Sequence, residues 1–170
     1  MAEPDQVPVQ AEHFVPWVRS AQTRDAILRA RERDYVRYGI TNDRRAVLYA
    51  IERNGGSATP VDISRNLFRE LHSVTEVLKR MEADGLITRE KTSGGSRIVA
   101  KITEKGRDVF NESLHNETDK RVFPVLTKRE RERLRSSLMK LRGGVLQDLG
   151  IPEWRLNLVL PTEAADEQGS

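Results

Sequence analysis

The residues most able to do chemistry stand in two short runs. The first is His72-Ser73-Val74-Thr75-Glu76-Val77-Leu78-Lys79-Arg80. Val74, Val77, Leu78 and Met81 fall at i, i+3, i+4 and i+7, the apolar stripe of a helix. On that helix His72, Ser73, Thr75, Glu76, Lys79 and Arg80 are left outward or flanking. Ser73 and Thr75 can donate to phosphate or to base edges. Glu76 can accept from a cytosine amino group, and Lys79 and Arg80 suit phosphates. Glu76 also stands three and four residues before Lys79 and Arg80, so an ion pair within the helix is equally open. The second run is Lys91-Thr92-Ser93-Gly94-Gly95-Ser96-Arg97. Lys91 and Arg97 flank a polar, glycine-bearing loop, an arrangement suited to a minor groove, to phosphates or simply to water.

Other chemistries find little support. Asp108, Glu112, Glu117 and Asp119 have no nucleophile beside them and read as a solvated helix face. His72 has only His13 and His115 for company, and neither is at ligand spacing, so no metal is expected. The sequence has no cysteine, which excludes disulfides, thiolate metal sites and thiol catalysis. With no phosphate-binding glycine loop either, the reading is of a non-enzyme without catalytic residues or cofactor.

The elements that must position these runs follow from periodicity and punctuation. Thr23 to Tyr38 contains neither Pro nor Gly and reads as a helix, with Gly39 as its C-cap. A second helix starts at Thr41 or Asn42 and runs to Arg53, with Ala46, Val47, Ala50 and Ile51 as its buried stripe. Thr59-Pro60 opens a short third helix with Val61, Ile63, Ser64 and Leu67 inward. The helix bearing His72 to Met81 follows and stops at Gly85. Leu86–Arg89 and Arg97–Ile102 read as two strands around the glycine loop. Thr103 caps another helix carrying Val109, Phe110 and Leu114. Pro124 interrupts the helical run, and Thr127-x-x-Glu130 is a capping box opening the last helix. There Leu134, Leu138, Leu141 and Val145 recur at spacings of 4, 3 and 4, a heptad-like seam. The order is that of a mainly α winged helix-turn-helix with helices added at both ends.

Charge is unevenly distributed over the 170 residues. Residues 41–106 hold 12 Lys/Arg against 9 Asp/Glu, and residues 127–142 hold 7 against 2. Both ends are acidic, so a net charge of only +3 masks a basic body. A basic body fits a polyanion partner or an ordinary solvated surface. The apolar stretches are too short to span a bilayer, and MAEPDQVPVQ lacks the features of a secretory signal. A cytoplasmic protein with no membrane partner is the expectation.

Thr59-Pro60-Val61-Asp62-Ile63-Ser64-Arg65 through Met81-Glu82-Ala83-Asp84-Gly85-Leu86-Ile87 resembles the helix-turn-helix of the MarR (multiple antibiotic resistance regulator) family. Ile102-Thr103-Glu104-Lys105-Gly106-Arg107 is similar to that family's Leu-Thr-Glu-Lys-Gly segment after the wing, and Leu134 to Leu149 to its C-terminal dimerisation helix. The resemblance implies a homodimeric transcription regulator, most simply a repressor, on a pseudo-palindromic double-stranded operator. It also implies release by a small aromatic or anionic effector bound between the dimer helices and the DNA-binding lobe. Two positions depart from the pattern. Gly94-Gly95-Ser96 replaces the usual Asp-x-Arg of the wing, with Arg97 one place later. Phe68 stands where a small residue is common.

The resulting organisation has an N-terminal arm (1–20), a dimerisation helix (21–40), the DNA-binding lobe (41–106), C-terminal dimerisation helices (107–150) and a tail (151–170). His72, Ser73, Thr75, Glu76, Lys79, Arg80, Lys91 and Arg97 are the DNA-contact candidates. Leu134, Leu138, Leu141 and Val145 are the dimerisation candidates, beside an apolar Phe14 to Val18 stretch. Trp17, Tyr35, Tyr38 and Phe110 supply apolar surface for an effector, and Arg31 or Arg37 could meet its anionic group. An activator or architectural DNA-binding protein, and a winged helix that binds protein instead, remain as alternatives.

Overall fold

The computed structural model describes residues 11–91 and 97–152, with the side chains of residues 11–13 outside that description. Helix α1 (Ala11–Tyr35) passes through a 3-10 turn at Val36–Tyr38 into α2 (Asn42–Arg53). Strand β1 (Ser57–Ala58) leads to α3 (Pro60–Leu67) and α4 (Leu71–Ala83). Strands β2 (Ile87–Lys91) and β3 (Ile98–Ile102) are followed by α5 (Glu104–Ser113) and α6 (Glu117–Val122). A second 3-10 turn at Phe123–Val125 precedes α7 (Lys128–Asp148).

The caps are those the residue types call for. Thr41, Thr59 and Thr103 each accept, through the side chain, from a backbone N–H three residues on. The Thr127–Glu130 capping box is complete. Gly39 ends the turn after α1 with φ of 64°, a left-handed conformation that glycine adopts without a Cβ penalty. The core of the lobe gathers Leu48, Ile51, Ile63, Val74, Leu78, Met81 and Ile87, each 0–1% exposed.

Several boundaries differ from expectation. The first helix begins at Ala11, so residues 11–20 belong to it rather than to an arm. Pro16 lies inside it. Proline has no N–H to give to the residue four back, but near an open helix end a single missing bond costs less than in the interior. Residues 1–10 and 153–170, assigned above to arm and tail, lie outside the described residues. The sheet has three strands, in the order β1-β3-β2. β1 is invisible in the sequence because two residues carry no periodicity. Its Ser57 and Ala58 pair antiparallel with Lys101 and Ala100, and in the hairpin Lys91 stands opposite Ile98.

Val61, expected inward, is 45% exposed, and Asn66 is buried instead. Residues 61 and 63 are two apart, about 200° around a helix, and cannot share one face. Leu114 is likewise exposed, because α5 ends one residue earlier and buries Ser113. Leu48 is fully buried and Ala46 only half-buried in α2. At α5 the packing is tightest: a Cβ on Gly106 would lie 2.0 Å from the Leu86 carbonyl oxygen. The glycine of the Thr-Glu-Lys-Gly segment is therefore a close-approach residue, holding α5 against the start of the hairpin.

Candidate nucleic-acid interface

α4 is held from both ends. Val74, Val77, Leu78 and Met81 bury its inner face. Glu82 near its C-terminus accepts from the backbone N–H of Arg89 at 3.1 Å and from Arg89 Nε at 2.7 Å, tying the helix to β2. At its N-terminus the connection from α3 is a single tight turn at Phe68, with φ of 51° and ψ of 47°. A left-handed aromatic residue costs on the order of 1–2 kcal/mol, and this is the only non-glycine residue with positive φ among the described ones. The departure at Phe68 thus leaves the helix-turn-helix geometry in place at the expense of local strain.

His72, Ser73, Lys79 and Arg80 are exposed, and Thr75 and Glu76 half-buried. Glu76 is engaged within the helix, accepting from Lys79 Nζ at 2.6 Å. That hydrogen bond, with the lysine charge, holds the Glu76 carboxyl below the usual carboxylate range. The ion-pair alternative for Glu76 is therefore the one this conformation adopts. Thr75 donates its hydroxyl to the Leu71 carbonyl at 2.8 Å. It offers a neighbour its lone pairs and methyl rather than its proton.

Between α3, α4 and the hairpin lies a groove of about 620 Å³. Thr75 and Arg97 line it, joined by Arg65, Arg89, Val61, Leu71 and Ile98. Two sequence candidates from different runs thus share one concavity. Arg65, Arg89, Leu71 and Ile98 were not singled out from sequence, and Val61 was assigned to the inner face of its helix. The alternation of β2 could have marked Arg89, but nothing local marked Leu71 as open. Arg80 lies on the other flank of α4, where it lines a separate cleft.

Several basic side chains around the lobe are neutralised internally. Arg44 pairs with Asp84, Arg69 with Asp43, Arg89 with Glu82, Lys101 with Glu90 and Arg107 with Glu52. Arg80, Lys91 and Arg97 are exposed and make no ion pair among the described residues. The loop 92–96 lies outside those residues. Among the described residues no group of three or more His, Cys, Asp or Glu is gathered as for a metal. No helix among the described residues is long and apolar enough to cross a membrane.

The effector candidates do not converge. Trp17 is 69% exposed, and 18 residues of helix separate it from Tyr35, about 27 Å at 1.5 Å per residue. Tyr35 and Phe110 are core residues. The Arg45 guanidinium lies 5.6 Å from each of their ring centroids. Burial pushes the Tyr35 hydroxyl above its ordinary value. Tyr38 is half-buried against the same core and Arg37 is exposed. Arg31 is held by Asp119 through two hydrogen bonds of 2.8 and 2.7 Å, so its charge is already met. None of the six lines the cleft at the junction of α1 and the lobe. That cleft, of about 540 Å³, is lined instead by Leu28, Glu32, Asn42, Arg44, Val77 and Arg80, among others. Tyr35 and Phe110, two of the aromatic residues that suggested a pocket, went into the core, because periodicity does not tell a packed ring from one lining a cavity.

The seam residues Leu134, Leu138, Leu141 and Val145 are 43–68% exposed, and Leu146 is the one buried residue of α7. Such a helix lacks the tertiary packing from which most helical stability comes.

Comparison with known proteins places these features in context. A protein-family model described as the MarR family matches residues 38–106. The ligand-free crystal structure of the organohalide-sensing RdhR transcriptional regulator is similar, with 27% identity, a TM-score of 0.79, and coverage of 96% of each chain. The 2,4-dichlorophenol-bound form of that regulator is 29% identical over 86% of this chain and 88% of that one, with a TM-score of 0.75. A cysteine-to-serine mutant of MarR from E. coli, complexed with operator DNA, shares the fold: 21% identity, TM-score 0.69, 78% of this chain and 97% of that one. No curated protein matches the sequence.

Proposed function

We propose that this chain, a transcription regulator carrying the MarR-family winged helix over residues 38–106, represses transcription by binding a pseudo-palindromic DNA operator as a homodimer. The observation that carries the reading is the groove lined both by Thr75 of α4 and by Arg97 of the hairpin, which makes no ion pair among the described residues. α4 presents its N-terminal half to base edges in the major groove, in the manner of a recognition helix. Ser73 and Thr75 discriminate there. Lys91 and Arg97 reach the flanking minor groove or phosphates, and Lys79 binds phosphate once its pair with Glu76 opens. Phosphate contacts release counterions, so affinity falls steeply with salt.

Dimerisation supplies the second half-site. α7 extends from the lobe with its leucine seam uncovered, and α1 exposes Phe14, Val15 and Trp17. A second copy covers both, because an isologous contact matches each seam to its own equivalent.

The relative bound to 2,4-dichlorophenol supports an effector of the phenol or aromatic carboxylate class. The cleft between α1 and α4 suits it: Leu28 and Val77 supply apolar wall and Arg80 a cation. Val77 and Arg80 belong to α4, so a molecule seated there bears directly on the DNA-reading helix, and effector and DNA oppose each other.

Selection of genomic fragments by the purified protein tests the reading. Enrichment of discrete fragments with inverted-repeat sites, abolished on adding salt, is expected. Equal retention of all fragments, or none, would refute it.

A further inference from the structure

We infer that Leu71 reads the 5-methyl group of thymine from the groove between α3, α4 and the hairpin, an inference that rests on the DNA-binding reading above. Leu71, Thr75 and Leu78 lie at i, i+4 and i+7 and form one strip of α4 along the groove. The strip opens outward: Leu78 is fully buried, Thr75 half-buried and Leu71 44% exposed. Val61 from α3 and Ile98 from β3 line the same space, and each is 45% exposed. The core closes beneath them with Leu48, Ile51, Ile63, Leu78 and Met81. Three partly exposed aliphatic side chains are thus gathered at one mouth, outside the buried core, a grouping that marks an interaction surface.

The lining narrows what can sit there. Arg97 places at the groove a cation that makes no ion pair among the described residues, whereas Arg65 and Arg89 line it while facing Asp62 and Glu82; the guanidinium left over matches a polyanion. The Asp62 carboxylate also lines it, but accepts from Thr59 Oγ1 at 2.6 Å and faces Arg65 at 3.7 Å. Beside the Arg97 guanidinium the apolar residues suit an apolar feature framed by anions. In the major groove the thymine methyl is that feature on a base edge. Leu71 is the first residue of α4, the end that enters the groove most deeply in helix-turn-helix docking. Thr75, its hydroxyl proton committed to the Leu71 carbonyl, adds its own methyl to the same surface.

The test uses full-length protein and a duplex it enriches from a random-sequence library. Each thymine is replaced in turn by deoxyuridine, which removes the methyl and leaves pairing intact. At one thymine in each half-site the replacement should weaken binding about fourfold, the transfer free energy of one buried methyl-sized group. Leu71→Ala should bind thymine and deoxyuridine equally at that position while keeping the wild-type salt slope. Wild-type protein indifferent to deoxyuridine at every thymine would overturn the inference and leave DNA binding standing. Leu71→Ala that still discriminates fourfold would overturn it too. Failure to enrich any sequence would remove both the inference and the reading beneath it.

Discussion

Arg31 of α1 and Asp119 of α6 are 88 residues apart in sequence and joined by two parallel hydrogen bonds, at about a quarter to a third exposure on each side. The bidentate geometry gives the pair direction as well as charge. Beside it Asp34 accepts from the backbone N–H of Thr118 at 2.6 Å. The two carboxylate contacts lock α6, and with it the base of α7, onto the long first helix. Arg31→Ala should lower stability by about 1–2 kcal/mol, read as a fall in Tm. Arg31→Lys should recover little of it, since an ammonium cannot form the fork. Unchanged Tm with weakened effector binding would show that the arginine serves a ligand instead.

Hydrogen bonding from Thr118, against the effect of burial, holds the Asp34 carboxyl below the usual carboxylate range. Glu82 and Glu130 are lowered by hydrogen bonds from Arg89 and Thr127. A folded pKa below the unfolded value contributes stability that is present above the unfolded value, about 3.9 for Asp, and is lost as pH falls through the folded one. Tm should be level from pH 7 to about pH 5 and fall below about pH 4. Asp34→Asn should lie below wild type at neutral pH, with the gap closing in acid. A gap that stays constant down to pH 3 would contradict the assignment.

The tight contact at Gly106 gives a sharper stability test. With the Leu86 carbonyl oxygen 2.0 Å from where a Cβ would stand, Gly106→Ala must push α5 away from the hairpin. A loss of about 3 kcal/mol or more is expected. Phe68→Asn should act in the opposite sense by about 1 kcal/mol, because asparagine tolerates the left-handed turn better than phenylalanine. Thermal unfolding of the two variants measures both, and a shift of Tm upward for the glycine variant or downward for the asparagine variant would contradict this account of the backbone.

The lobe was legible in the sequence because its signals are local. Threonine caps, the Gly85 stop and the spacing of Val74, Val77, Leu78 and Met81 each report on a few neighbouring residues. The start of α1 was not legible, because Pro16 ordinarily marks a helix boundary and here sits within the helix, and β1 was too short to show. The candidate site was only half legible. Spacing separates the inner from the outer face of α4, yet Arg65, Arg89 and Ile98 join the groove through tertiary packing that spacing does not encode. Arg31 was open to an effector on sequence alone, because its partner lies 88 residues away.

Dimerisation has its own test at the seam. Leu138→Asp with Leu141→Asp places two unpaired carboxylates where a second copy must pack, at a cost of several kcal/mol. Light scattering should then report monomers, and operator affinity should collapse while the fold of the lobe persists. Wild-type protein that scatters as a monomer at micromolar concentration would contradict the dimer.

The central claim, that the groove and hairpin hold DNA, is tested most directly by the salt dependence of binding to an enriched duplex, for wild type and Arg97→Ala side by side. Counterion release contributes a slope of about −0.9 per neutralised phosphate in a plot of log affinity against log salt. Removing the guanidinium from both subunits leaves two phosphates without their partner. The variant should therefore bind all sequences more weakly, and its slope should be shallower by about two. Identical affinity and slope for the two proteins would show that the hairpin does not engage DNA.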